Sequence, residues 1–216
     1  MTKNQQKKFT LLTSIFITAL VAANLLGSKI TVLAGISVSV AIFAYPLTFL
    51  VTDIVEEVLG KKVAKQLIVA GFLSLFILLF LTWLSVILPA ADRYEFNNEY
   101  KTIFSSSLRM IIASLVAFLL SQFHDVWAFN FWKEKTKGKL LWLRNNFSTV
   151  ISQFIDTSVF MFIAFYMITP KFDVSFIISL IIPYWLFKIA FAVIDTPFVY
   201  LGVKWLKEKE ELNETK

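Results

Sequence analysis

The sequence predicts an all-α integral membrane protein with six transmembrane helices and both termini in the cytoplasm. Three observations predict this. First, 57% of the 216 residues are hydrophobic and 17% charged, with a mean hydropathy of +0.71, against about 45–50% and about 25% in soluble domains. Second, apolar runs of about 20 residues recur along the whole chain, each long enough to cross a bilayer as a helix. They are too long for strands and do not alternate, and in hydrocarbon a helix satisfies its own backbone. Third, the basic residues fall in alternate loops, as the orientation rule for membrane helices requires.

The spans follow in order. The first covers about Phe9–Ile30. Its start, "KKFTLLTSIFITALVAA", has the basic-then-apolar form of a signal peptide, but the run continues through Leu25 and Leu26, so it reads as a span. The others are about Ser37–Leu59, Ala64–Leu88, Ile103–Phe131, Phe147–Thr169 and Phe176–Trp205. Fifteen of the 21 basic residues lie in, or in the bordering turn of a span beside, one set of segments: before the first span, between the second and third, between the fourth and fifth, and after the sixth. Lys29, Arg93, Lys101 and Lys171 make up the opposite set, and Arg109 and Lys188 fall inside spans. An odd number of spans would break this alternation. Residues 1–216 read as one transmembrane domain with no room for a soluble one. The lipid bilayer is then a partner, and nucleic acid is not, because the net charge of +6 is spread over short loops.

Composition also excludes chemistry. The chain has no cysteine, so disulfides, thiolate catalysis and cysteine-ligated metals are ruled out. The single histidine, His124, cannot build a metal site alone. No nucleophile–base pair is visible, so no enzyme and no cofactor are expected.

The informative residues are charges placed where lipid should be. Asp53, Glu56, Glu57, Arg109, Asp125, Asp156, Lys188 and Asp195 all lie within spans. One charge at mid-bilayer costs about 3 kcal/mol on insertion scales, and such residues mark substrate or ion paths. Their spacing gives each helix one polar face. Asp53 stands three before Glu56 and four before Glu57; Lys188 and Asp195 are two turns apart. The stretch "SQFHD" at 121–125 is echoed by "SQFID" at 152–156, pairing Gln122 with Asp125 and Gln153 with Asp156. Ser107, Ser114 and Ser121 extend the stripe on the fourth span, and Thr149 and Ser152 on the fifth. The expected result is a polar chamber reaching from the bilayer centre toward the inner leaflet. Glu56 and Glu57 have a simpler reading as groups reaching cytoplasmic water. Arg109 would snorkel outward near Glu95 or Glu99. Asn24 either faces the chamber or bonds a neighbouring helix, and His124 reads as an interfacial or helix-packing residue.

An amide supplies a paired donor and acceptor, and a carboxylate supplies acceptors. Together they match a flat, purine-like base with an amide edge and an amino group. Tyr45, Phe49, Trp127, Phe154, Tyr184 and Trp185 are near enough in sequence to stack on its ring. The same groups would also suit a proton relay or a cationic amine.

Four stretches carry a family likeness: "FAYPLTFLVTDIVEEVLGKKVAK" (43–65), "LLSQFHDVWAFNFWK" (119–133), "STVISQFIDTSVFMFIAF" (148–165) and "LFKIAFAVIDTPFVYLGV" (186–203). Together they resemble the queuosine precursor transporters, also called the vitamin uptake transporter family. The resemblance implies a bacterial inner-membrane protein of six helices that imports deazaguanine bases, the precursors of a modified tRNA base, or queuine itself. It places Asn24, Asp53, Glu57, Gln122, Asp125, Gln153, Asp156, Lys188 and Asp195 among the substrate-binding positions. Lys188 would hold two aspartates together while the site is empty. The family is also similar in shape to the substrate-binding subunits of energy-coupling-factor vitamin transporters. The alternative implied is therefore a binding subunit energised by a separate ATPase module. Ala19 and Ala23 form a small-xxx-small pair that would let such a partner, or a second copy in a homo-oligomer, approach closely.

Overall fold

A computed structural model describes residues 1–33, 35–135, 141–194 and 196–207, and within these the side chains other than those of 122, 125–126, 129–130, 132–134, 141–149, 191–193 and 196. The chain is mostly helical. Helix α1 (Lys3–Leu26) starts with a capping box: Thr2 Oγ1 accepts from the Gln5 N–H at 3.2 Å, and Gln5 Oε1 accepts from the Thr2 N–H at 3.1 Å. Helices α2 (Tyr45–Leu59) and α3 (Lys61–Ile87) are joined through Gly60 alone. Then come α4 (Asn97–Lys135), α5 (Leu141–Phe165), α6 (Val174–Ile194) and α7 (Thr196–Leu206). The segments Lys3–Leu26, Lys61–Ile87 and Asn97–Ser121 are long and apolar enough to span a membrane, and Val150–Phe165 and Val174–Ala190 are shorter apolar helices. On α3, Val69, Leu73, Phe76, Ile77 and Phe80 are all exposed, a stripe suited to hydrocarbon.

Two spans depart from single helices. The sequence reading has no strand, yet β1 (Ile30–Leu33) and β2 (Ile36–Ser39) form an antiparallel hairpin with Ile30 opposite Ser39. Ile30, Thr31, Val32 and Val38 are β-branched and suit extended backbone. Gly35 turns the chain at φ +81°, a conformation that favours glycine. A short 3-10 turn, Val40–Phe43, follows, with Ser39 Oγ accepting from the Ala41 N–H at 3.1 Å. Pro46 in the first turn fixes where α2 begins, because its ring suits a helix start and no later position. With 15 residues, α2 is about 22 Å long, short of a bilayer core of about 30 Å; β2 and the 3-10 turn occupy the rest of the expected second span. The sixth expected span holds α6 to Ile194 and α7 from Thr196, with residue 195 outside the described residues. Pro197 stands in the first turn of α7, where proline is tolerated.

Packing divides into clusters. Val38 and Ile42 join Met110, Ala113, Phe160, Met161, Phe165, Ile177 and Leu180 at the hairpin end. Leu12, Phe16, Val51, Val55, Leu67 and Leu206 form another among α1, α2, α3 and α7. Leu75, Ile111 and Leu115 tie α3 to α4. Lys8 Nζ donates to Trp205 O at 2.6 Å, so the first turns of α1 meet the end of α7. Ala19 and Ala23 are both buried within this bundle. Arg109 does not reach outward to Glu95 or Glu99. Its Nε donates to Ile163 O at 2.6 Å and its Nη2 to Tyr166 O, capping the orphan carbonyls that end α5.

Candidate functional site

A cavity of about 320 Å³ lies where the three clusters meet, and α1 through α6 all contribute to its wall. Each helix presents one face. On α2, Tyr45, Thr48, Phe49 and Thr52 recur at helical spacing and all line it. On α5, Gln153, Asp156, Thr157 and Phe160 do the same. Ser114, Phe118 and Ser121 come from α4, Tyr184 and Lys188 from α6, and Phe16 and Phe72 from α1 and α3.

At the polar side, Lys188 Nζ donates to Asp156 Oδ2 at 2.6 Å, with the side chains 14% and 25% exposed. Pairing offsets the cost of bringing either charge away from water. Gln153, one turn before Asp156, lines the cavity with no hydrogen bond to its amide among the described residues. The rings of Tyr45 and Phe49 stack, 6.5 Å between centroids and 22° between planes. Ser114 Oγ donates to Asn24 Oδ1 at 2.7 Å, and Asn24 Nδ2 donates to Leu20 O at 2.9 Å. At the far end Tyr184 Oη donates to Ser39 O at 2.8 Å, fastening the wall to the hairpin.

The structure brings Gln153, Asp156 and Lys188 together. Asn24 is buried but does not line the cavity; its amide is spent on α4 and on its own helix. Asp53 and Glu57 are exposed and stand outside the wall. Gln122 and Asp125 lie on helical backbone in α4, but their side chains are outside the described residues, as is Asp195 altogether. The two "SQFxD" copies do meet: His124 Nδ1 and Ser152 Oγ are 3.0 Å apart across α4 and α5, and Ser121, Gln153 and Asp156 all face the cavity. Of the stacking candidates, Tyr45, Phe49 and Tyr184 line it. Trp127 is 61% exposed, and Phe154 packs edge-on against Trp185 outside the wall. The chamber also sits farther from the basic loops than expected. Its four α2 residues lie within the first eight of that helix, about 12–22 Å from Gly60 at helical rise.

Sequence reasoning missed Thr48, Thr52, Thr157, Phe72, Phe118 and Phe160. The spacing of Tyr45, Thr48, Phe49 and Thr52 was the one available signal for α2.

The pattern of this chain is shared. Residues 39–202 match a family described as "Putative vitamin uptake transporter". A "Probable queuosine precursor transporter" of Bacillus subtilis (strain 168) is 32% identical over 89% of this chain and 83% of its own length. A "Queuosine precursor transporter" of Escherichia coli (strain K12) is 23% identical over 79% of this chain and 77% of its own. A "Probable queuosine precursor transporter" of Haemophilus influenzae is 26% identical over 69% of this chain and 61% of its own. No solved structure matches.

Proposed function

The chain belongs to the vitamin uptake transporter family, a family of transporters and not of enzymes, and from that premise we propose that it imports queuosine precursors, deazaguanine bases or queuine, across a bacterial inner membrane. The names of its relatives support the substrate class. One observation carries the reading to this chain: six helices converge on a cavity in which the Gln153 amide, without a partner among the described residues, a carboxylate–ammonium pair and stacked aromatic rings stand together. Its volume is at the lower end of small-molecule sites, a size for a bicyclic base.

Each group has a task in this reading. Asp156 accepts the adjacent N–H donors of the base, as carboxylates do. Gln153 reads the amide edge with one donor and one acceptor. Tyr45 and Phe49 offer ring faces for stacking. Lys188 holds Asp156 while the site is empty and yields part of that bond when substrate arrives. Gln122 and Asp125 supply the second amide and carboxylate through the repeated motif. Asn24 ties α1 to α4. Exchange of protein–protein for protein–substrate bonds biases the bundle between two packings, as alternating access requires. Six crossings with both termini in the cytoplasm agree with the basic loops and with the meeting of Lys8 and Trp205.

Uptake of a deazaguanine base by cells unable to make it, dependent on this chain, is the test. Cells that gain no uptake when the chain is expressed in the membrane would reject the reading. Transport by the purified protein alone in liposomes would show a self-contained carrier; binding without transport would show a subunit that needs an ATPase or another partner.

A further inference from the structure

Six hydroxyl protons on the cavity wall are committed to the protein, and the partners make that assignment unambiguous. A carbonyl oxygen cannot donate, so a hydroxyl bonded to one must give up its proton. Thr48 gives its proton to Tyr45 O at 2.7 Å, Thr52 to Phe49 O at 2.8 Å, Ser121 to Phe118 O at 3.0 Å and Thr157 to Gln153 O at 2.8 Å. Tyr184 gives its proton to Ser39 O at 2.8 Å. Ser114 follows from one more step. Asn24 Nδ2 must face Leu20 O, so Asn24 Oδ1 faces Ser114, and Ser114 must donate to it.

What remains toward the cavity is a set of lone pairs on Thr48, Thr52, Ser121 and Thr157, together with the Asp156 carboxylate. Free N–H donors on the described wall reduce to the Gln153 amide and the hydrogens of Lys188 not engaged by Asp156. A ligand edge that accepts hydrogen bonds would meet lone pairs and stay unpaired after losing its water. An edge that donates would be satisfied at several points. Buried polar groups left unpaired are the strongest basis for rejecting an isostere.

We propose that the threonines of this acceptor wall, Thr48 and Thr52 on α2 and Thr157 on α5, determine specificity by admitting planar solutes whose edges carry N–H donors and rejecting isosteres whose edges carry acceptors. This rests on the cavity being the substrate site, and it does not depend on which base is carried.

The experiment measures binding by ligand-induced shift of the melting temperature of the purified full chain in detergent. The probes are deazaguanine, deazahypoxanthine without the amino group, deazaxanthine with a carbonyl in its place, and the smaller ring diaminopyrimidine. The wild type is expected to bind deazaguanine about tenfold more tightly than deazaxanthine, the factor of one unmatched hydrogen bond. Thr52→Val and Thr157→Val keep the shape, remove the lone pairs and should lower that preference about threefold or more. Thr52→Ser and Thr157→Ser keep the acceptor and should retain it, and their unliganded melting temperatures show that folding is intact. Valine variants with the wild-type preference, or a wild type that favours deazaxanthine, would overturn the acceptor wall while leaving the transport reading standing. Diaminopyrimidine bound through the threonines with no deaza base bound would do the reverse. Failure of every probe to bind the wild type would overturn both.

Discussion

At the scale of single residues, the Lys188–Asp156 pair decides most. Removing one member of a partly buried pair leaves an uncompensated charge, whereas removing both leaves two neutral groups. Asp156→Asn and Lys188→Met should each lower the melting temperature, and the double variant should melt closer to the wild type than either single one. A thermal double-mutant cycle checks this, and strictly additive losses would show that the two side chains do not act as a pair. Uptake should fall about tenfold or more in Asp156→Asn, because one ligand bond to a charged acceptor is lost. Arg109 offers a second case. Its guanidinium bonds the carbonyls of Ile163 and Tyr166 at the close of α5. A lysine cannot span two acceptors in that fork geometry. Arg109→Lys should cost about 1–3 kcal/mol of stability without changing which bases are bound. Gln153, Asp156 and Lys188 were legible in the sequence because polar or charged groups inside an apolar run are conspicuous. Thr48, Thr52 and Thr157 were not. A threonine bonded to its own helix costs little in hydrocarbon and leaves no mark on hydropathy.

Elements show the same division between what hydropathy records and what it omits. The long apolar runs announced α1, α3 and α4, since each must satisfy its backbone internally and coat itself with apolar side chains. The interruptions were hidden. Residues 36–44 are nearly all apolar whether extended, 3-10 or helical, so only Gly35 and Pro46 hinted at the change. The end of α5 was hidden too, because its cap comes from Arg109 on another helix. Gly60 tests the element scale most directly. It joins α2 to α3 at φ +83° and ψ 165°, a region that is essentially glycine-only. Gly60→Ala should destabilise the fold by about 1–3 kcal/mol, read as a lower melting temperature. An alanine variant as stable as the wild type would mean that the chain relaxes at this junction without cost.

For the whole molecule, the decisive quantity is which end of the bundle faces the cytoplasm. The start of α1 and the end of α7 touch through Lys8 and Trp205, so the two ends of the chain share one side of the bundle. Basic residues crowd that side: Lys3, Lys7 and Lys8 precede or open α1, Lys61, Lys62 and Lys65 begin α3, and Lys204 and Lys207 close α7. Orientation follows such asymmetry, since loops rich in lysine and arginine stay in the cytoplasm. In the proposed orientation the hairpin would face outward and Gly60 inward, with Tyr184 linking the cavity wall to the hairpin. Because the chain holds no cysteine, a single introduced thiol is the only target for a membrane-impermeant reagent. Asp92→Cys, between α3 and α4, should be labelled on intact cells. Lys62→Cys should be protected until the membrane is opened, and Lys207→Cys should behave like it. Labelling of Lys62→Cys and Lys207→Cys on intact cells, with Asp92→Cys protected, would invert the bundle. For import the base would then enter past Gly60 and leave past the hairpin, and the orientation drawn from the basic loops would be reversed.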